Sequence, residues 1–317
     1  GEKQAAFKNL ALAATPEEQT WIVRIILKNL SIGISQKAVL DCVHPSANEK
    51  YTLSNNLRSV CESVVAGNMD DQLTVELFAP IKPMLAARRS ARELRRLLGK
   101  DEYVVEKKLD GERVMIHKNG NEYALFTRNS FKVNHLYLPK LRPTLEKHIK
   151  VDSYLLDGEL LVYDLTARKF EAFGGLKTVA KAGTSEDKAE EFGKRLCYVA
   201  FDLLYVGDES IIALELKQRK QLLSELVPHP TPGEFQVMEY SPVLTTEDVM
   251  EHLDNAVMGG DEGIMLKSCS SPYVPDERKN KWVKVKPDYV EGMYDSLDVL
   301  LLGGYYGTGM GARSGTV

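Results

Sequence analysis

The chain has 317 residues, 44% of them hydrophobic and 27% charged, with a formal net charge of -4. That length and apolar content suit two domains with buried cores, and the acidic balance excludes a uniformly basic nucleic-acid binder, leaving any polyanion to a local basic face. Four scattered cysteines without a Cys-x-x-Cys pair argue against a zinc module or a disulfide-stapled fold; with no signal-peptide pattern and no apolar run near the ~20 residues of a membrane helix, a soluble intracellular protein is expected.

Residues 20 to 66 carry helical periodicity. Trp21, Ile22, Ile25, Ile26 and Leu30 form one stripe, Ser35 caps a second helix with Ala38, Val39 and Val43, and a third runs from about Ser54 with Leu57, Val60, Cys61 and Val64. Three short helices bury little core, so they are expected to belong to a larger array. The proline-punctuated LFAPIKPMLA, residues 77 to 86, marks a boundary. Beyond residue 100 the pattern turns to short β-rich runs: EYVVEKKL, RVMIHKNGNEYALFTRNS, SYLLDGELLVYD, LCYVAFDLLYV, GIMLKS, KWVKVK and LDVLLLGG. With helical stretches near 140 to 149, 215 to 226 and 245 to 258, the expected class is α+β: a helical N-terminal segment, then antiparallel or mixed sheets with flanking helices.

If residues 103 to 110 are extended, Glu106, Lys108 and Asp110 share one face while Val105, Lys107 and Leu109 share the other. Lys108 then lies between two acids, just ahead of a glycine-permitted turn ending in Arg113, and Lys107 is the odd charge on an apolar face at a solvent edge. By itself such a string also fits a plain turn after an edge strand. Arg128 ends a strand in FTRNS, and Glu159 interrupts the apolar LLDGELLVYD, where a buried carboxylate needs a metal ion, a hydrogen-bond donor or a ligand hydroxyl; a structural ion pair is the plain alternative. Phe201 in YVAFDLLY is either core or a face for a stacked base, and Glu262 and Lys267 lie at the mouth of another strand. In KWVKVKPDY, Trp282, Lys284 and Lys286 share a face, where the two lysines repel unless an anion lies between them. Phosphate is the obvious anion, and a solvated edge strand is the bland alternative.

KLDGER, TRN, DGE, AFDLL, EGIMLK and KWVKVKP, in this order, resemble the nucleotidyltransferase motifs of ATP-dependent DNA ligases. FAPIKPMLA ahead of the first motif, WIVRIILKNLSIGISQ in the helical part and KWVKVKPDYVEGMYDSLDVLLLGGYYGTG at the far end are similar to the eukaryotic ligase IV branch, so the resemblance covers essentially the whole chain. It implies a partial helical DNA-binding domain over residues 1–78, a nucleotidyltransferase (adenylation) domain over 79–294 and the start of a truncated OB-fold domain over 295–317.

The resemblance also implies a chemistry. Lys108 attacks the α-phosphorus of ATP to form a lysyl-AMP intermediate, which requires a deprotonated amine; nearby cations and a bound Mg²⁺ favour that form, while Glu106 and Asp110 oppose it. The implied nucleotide pocket comprises Glu106 near the adenine amino group, Leu109, Arg113, Arg128, Glu159, Phe201 stacked on adenine, Lys267, Lys284 and Lys286. Glu159 and Glu262 are the implied Mg²⁺ carboxylates, with Glu159 also reaching the ribose. The AMP then passes to the 5′-phosphate of a DNA break, where the 3′-hydroxyl displaces it. By family, the partners are DNA ends or nicked duplex and an end-joining scaffold protein bound through a C-terminal region, in the nucleus. The run ARRSARELRR puts Arg88, Arg89, Arg92, Arg95 and Arg96 on one expected helix, either tracking phosphates or simply solvated beside Glu93. Two alternatives stand beside this reading: an mRNA-capping guanylyltransferase or RNA ligase, and a fragment that binds nucleotide and DNA with impaired catalysis for want of the OB domain.

Overall fold

A computed structural model describes residues 2–27, 32–69, 74–89, 91–171, 174–181 and 193–287. The chain divides into two compact units, Gly1–Lys82 and Pro83–Val317, a division four residues beyond the expected 78/79 boundary. The expected strand LDVLLLGG and the expected OB-fold start over 295–317 lie outside the described residues.

The first unit holds α1 (Glu2–Ala13), α2 (Pro16–Ile26), α3 (Gln36–Val43), α4 (Ala47–Ser54) and α5 (Leu57–Ala66). Local chemistry sets the boundaries. Thr15 and Glu18 close a reciprocal capping box on α2, and the Ser35 hydroxyl accepts from Ala38 N at 3.1 Å, as its position predicts. The third expected helix begins at Leu57, because Asn56 accepts from Ser59 N while Ser54 instead closes α4. Two helices, α1 and α4, carry too weak an apolar stripe to be legible in the sequence. The unit's core is small, built on Leu40, Ala47, Val60 and Met69, and Trp21, Ile25 and Ile26 of the expected stripe stay exposed; Leu30 lies outside the described residues.

The second unit is built on two sheets. Sheet one runs β1 (Ala87–Arg88), β12 (Trp282–Val285), β11 (Ile264–Ser268), β2 (Tyr103–Lys107) and β10 (Tyr240–Val243), antiparallel except for β1 beside β12. Sheet two runs β4 (Glu122–Thr127), β3 (Glu112–Asn119), β5 (Ser153–Asp164), β7 (Lys194–Val206) and β8 (Glu209–Ser210). Short β6 (Lys169–Phe170) joins β5, and β9 (Phe235–Val237) runs parallel to β7.

Period-two alternation gives each sheet two unlike faces. Tyr103, Val105, Ile264, Leu266, Val283 and Val285 pack behind sheet one on Leu94 of α6 (Ala91–Leu98) and on Val249 and Leu253 of α10 (Thr246–Met258). Val114, Leu156, Leu160, Tyr198 and Leu203 back sheet two, against α7 (Asn134–His148), α8 (Leu176–Lys181) and α9 (Leu216–Leu226). The opposite faces carry Glu106, Met265, Lys267, Trp282 and Lys284 from sheet one, and Arg113, Glu159 and Phe201 from sheet two; all eight line one cavity. Gly158 allows the β5–β7 irregularity: a Cβ there would lie 2.5 Å from the Tyr198 ring, whose hydroxyl donates to Val114 O at 2.8 Å.

Beneath the cavity, Asp202 and Arg219 are both 0% exposed, and the guanidinium donates to both carboxylate oxygens at 2.8 and 2.9 Å. Burial pushes the Asp202 carboxyl up, but the adjacent guanidinium outweighs it and the net direction is down. Removing one partner of such a pair strands the other, so Asp202→Asn is expected to lower the unfolding free energy by about 3–5 kcal/mol in urea titrations. A loss below about 1 kcal/mol would show that the interior around Arg219 admits water.

Candidate active site

The strand carrying the two adjacent lysines is shorter than the sequence suggests. It ends at Lys107, so the expected extension through residue 110 is corrected, and Asp110 does not belong to the alternation. The chain turns because Gly111 must approach β5: a Cβ at that position would lie 2.5 Å from Leu160 O and 2.9 Å from the Glu159 side chain. The sorting of the lysines survives. Lys107 has a side chain 65% exposed and paired with Asp261 at 3.1 Å, whereas Lys108 has one 23% exposed, with its backbone N–H donating to Gly263 O at 2.9 Å. The carboxylate that meets the Lys108 ammonium is Glu262, rather than Glu106 or Asp110.

Every residue the sequence singled out for the site borders a single cavity of about 320 Å³: Glu106, Lys108, Leu109, Arg113, Arg128, Glu159, Phe201, Glu262, Lys267, Lys284 and Lys286. Glu262 bridges Lys108 and Lys286, one carboxylate oxygen to each ammonium. Glu159 faces Arg113 across the β3–β5 ladder. Burial pushes its carboxyl up to about 7, against the pull of Arg113, Lys108 and the Gly111 N–H and with the help of Asp157.

The cations divide by what they already hold. Arg113 donates to both oxygens of Asp157 at 2.9 and 2.5 Å and to Met84 O at 2.8 Å, so the expectation that it neutralises phosphate meets a guanidinium whose charge is already balanced. Lys267 is 2% exposed and pairs with Glu106 at 2.7 Å. Its ammonium lies 4.3 and 4.2 Å from the ring centres of Phe201 and Trp282, and burial draws it below the usual lysine range. Lys284 is drawn down too, by burial first and then by Arg278, Lys108, Arg128 and Arg88, a concentration of positive charge that an anion would relieve. Phe201 is 8% exposed and meets Trp282 edge-on, while still bordering the cavity.

Met238, Met265, Arg278 and Trp282 also line the cavity. Met265 follows from the same alternation that marks Lys267, but Met238 and Arg278 lie outside regular strands and had no periodic signal. Asp157 and Tyr273, which hold Arg113, were likewise missed, because an aspartate in a strand and a tyrosine in a loop meet only after folding. The expected arginine helix is corrected: Arg88 belongs to β1, Arg89 donates to Asn280 Oδ1 at 2.8 Å, and α6 begins only at Ala91.

Among the described residues, no group of three or more His, Cys, Asp or Glu could hold a metal ion, and no helix is long and apolar enough to cross a membrane. A hard divalent cation that keeps water and phosphate oxygens needs only one or two carboxylates. Glu159, with its elevated proton affinity, marks where extra positive charge is favourable, so the residues present fit such an ion.

A two-sheet fold with a lysine at a strand end, inside a cavity walled by cations and carboxylates, defines a nucleotidyltransferase-type site. The family model described as "ATP dependent DNA ligase domain" matches residues 83–286 and "DNA ligase N terminus" matches residues 1–44; the chain belongs to the ATP-dependent DNA ligase family. It is 36% identical to "DNA ligase 4" of Dictyostelium discoideum, over 99% of this chain and 33% of that protein. It is 31% identical to "DNA ligase 4" of Homo sapiens, over 92% of this chain and 32% of that one. The chain therefore spans about a third of the length of these relatives. The solved chain "Pmar-Lig_PreS3" shares the fold, at a TM-score of 0.51 and 21% identity, over 86% of this chain and 56% of that one.

A carboxyl whose folded pKa is raised holds its proton longest in the folded state, so its contribution is most favourable below the unfolded value and is lost as pH rises toward about 7. Glu159→Gln is expected to match the parent's melting temperature near pH 4 and to exceed it increasingly up to pH 8. A constant difference across that range would place the proton elsewhere.

Proposed function

We propose that this chain carries the self-adenylylating centre of an ATP-dependent DNA ligase of the ligase IV type, acting on double-strand breaks in non-homologous end joining. The observation that carries the reading is the sorting of two adjacent lysines at one cavity: Lys108 is 23% exposed and set against Glu262, whereas Lys107, also at the cavity border, is 65% exposed and paired with Asp261. The Lys108 ammonium first gives a proton to solvent; the neutral amine attacks the α-phosphorus, the nitrogen–phosphorus bond forms as the bond to pyrophosphate breaks, and the nitrogen loses one further proton to water, keeping its last N–H. Glu262, already against Lys108 and Lys286, is positioned to hold both ammoniums until phosphate oxygens displace them.

In this reading Glu106 accepts from the adenine amino group, Leu109 and Phe201 border the base, and Lys267 fixes Glu106 from below. Arg128, Lys284 and Lys286 meet the phosphates, and Arg113 orders the wall through Asp157. Glu159 and Glu262 are the residues that would hold Mg²⁺, whose chemistry is neutralisation of phosphate charge. Residues 79–294 then form the adenylation domain and residues 1–78 part of the DNA-gripping domain. Transfer of AMP to a 5′-phosphate and its displacement by a 3′-hydroxyl complete the cycle in the longer, nuclear protein, which docks a scaffold through regions C-terminal to these.

Mass spectrometry after incubation with ATP and Mg²⁺ is expected to show one added AMP on the peptide bearing Lys108. Lys108→Ala should abolish the adduct, a loss of at least about a thousandfold in labelling rate, whereas Lys107→Ala should retain it within about threefold. Equal loss in both variants would sink the assignment; an unmodified parent that still binds ATP would leave a binding fragment.

A further inference from the structure

The base pocket rests on a buried charge cluster with one member that the proposed reaction does not use. Glu106 is 3% exposed, and its carboxylate oxygens meet two different lysines: Oε2 lies 2.7 Å from Lys267 Nζ and Oε1 lies 2.5 Å from Lys220 Nζ. Lys267 comes from β11 and borders the cavity. Lys220 comes from α9, is 2% exposed, and reaches Glu106 from behind, its ammonium 4.5 Å from the Tyr240 ring centre. It forms a charge contact there without an aligned hydrogen bond. A buried ammonium is costly unless it answers a specific charge. The neighbouring Asp202–Arg219 pair balances itself, and Glu106 is the carboxylate in contact with Lys220.

We propose that Lys220 is a positioning residue that sets the base specificity of the nucleotide pocket, holding Glu106 as an ionised acceptor for the amino group of a 6-aminopurine. The inference rests on the adenylylation reading above. A carboxylate flanked by two ammoniums accepts hydrogen bonds and donates none. A 6-aminopurine offers it N–H; a 6-oxopurine offers a carbonyl oxygen, acceptor against acceptor. A protonated Glu106 would donate to that carbonyl and erase the distinction. Lys267 supplies one ammonium, at Oε2, and Lys220 supplies the second, at Oε1. The groups facing Glu106 are Lys220 from α9, Lys267 from β11 and Tyr240, its register partner on β10, with Asp202 and Arg219 adjoining the lysines.

The test compares ATP with ITP, which differs at the 6-position, by calorimetric titration of the 317-residue chain from pH 6 to 8.5. The parent should prefer ATP throughout. Lys220→Met should lose about tenfold or more of that preference, as expected when a contact to a charged group is removed. Lys220→Arg should restore the preference, a rescue that a purely structural role would not couple to the base. If circular dichroism shows the methionine variant unfolded, Lys220→Gln against Lys220→Arg carries the same comparison. An ATP-to-ITP ratio unchanged in Met or Gln at every pH overturns the proposal. A parent that binds both nucleotides equally overturns it too, leaving the adenylylation reading standing; a parent that binds neither overturns both.

Discussion

The Arg113–Asp157 fork is the contact on which the two-sheet unit depends. Arg113 belongs to β3 and Asp157 to β5, so the pair lies within sheet two. The same guanidinium donates to Met84 O just ahead of β1 and, at 3.3 Å, to the Tyr273 hydroxyl from the segment between β11 and β12. Tyr273 in turn donates to Asp157 at 2.7 Å and accepts from Met84 N at 3.0 Å. Phe201 of β7 and Trp282 of β12 complete the surround, with the guanidinium carbon 5.2 and 5.6 Å from their ring centres. One planar cation thus hydrogen-bonds three stretches of chain besides its own strand and meets two more through their rings. Arginine suits the role because its donors are fixed in a fork and its charge is weakly hydrated.

That fastening creates a requirement for the rest of the interior. Two sheets whose inner faces carry charges can approach only if each buried charge meets its opposite. The pairings satisfy this in layers: Asp202 with Arg219 deepest, Glu106 with Lys220 and Lys267 above them, Asp157 with Arg113 at the wall, and Glu262 with Lys108 and Lys286 at the mouth. Compensation weakens toward the opening, where Glu159 has its proton affinity raised by burial and Lys284 has its own lowered by burial and surrounding cations. The uncompensated terms have opposite signs and line one cavity. A phosphate with its counter-cation would relieve both, which is the electrostatic ground of the proposed nucleotide site.

The helical unit follows a different logic. Helices α2, α3 and α5 are capped by side chains, yet much of the unit's apolar surface stays exposed: Trp21, Ile25, Ile26 and Val65 are 42%, 63%, 58% and 89% exposed. Capping fixes where a helix starts and ends but buries nothing. A unit with a core as small as Leu40, Ala47, Val60 and Met69 draws little stability from burial.

The sequence by itself determined the class of the second unit, the long strands and a set of residues that border one cavity. These are local or periodic properties: alternation in KWVKVK separates Val283 and Val285 from Trp282 and Lys284, and the ordered motifs single out Lys108, Glu159, Glu262 and Lys286 through residue order alone. Caps such as Ser35 are legible for the same reason, since donor and acceptor lie three residues apart. Only the tertiary structure decided what each charge touches. Where β2 ends depends on Gly111 approaching β5, a contact no local pattern encodes. Arg113 meets Asp157 across 44 residues, and Lys220 meets Glu106 from a helix whose periodicity marks it merely as one polar position among several. Electrostatic pairing falls off with distance in space and is indifferent to distance along the chain, so it becomes readable only once folding has set those distances.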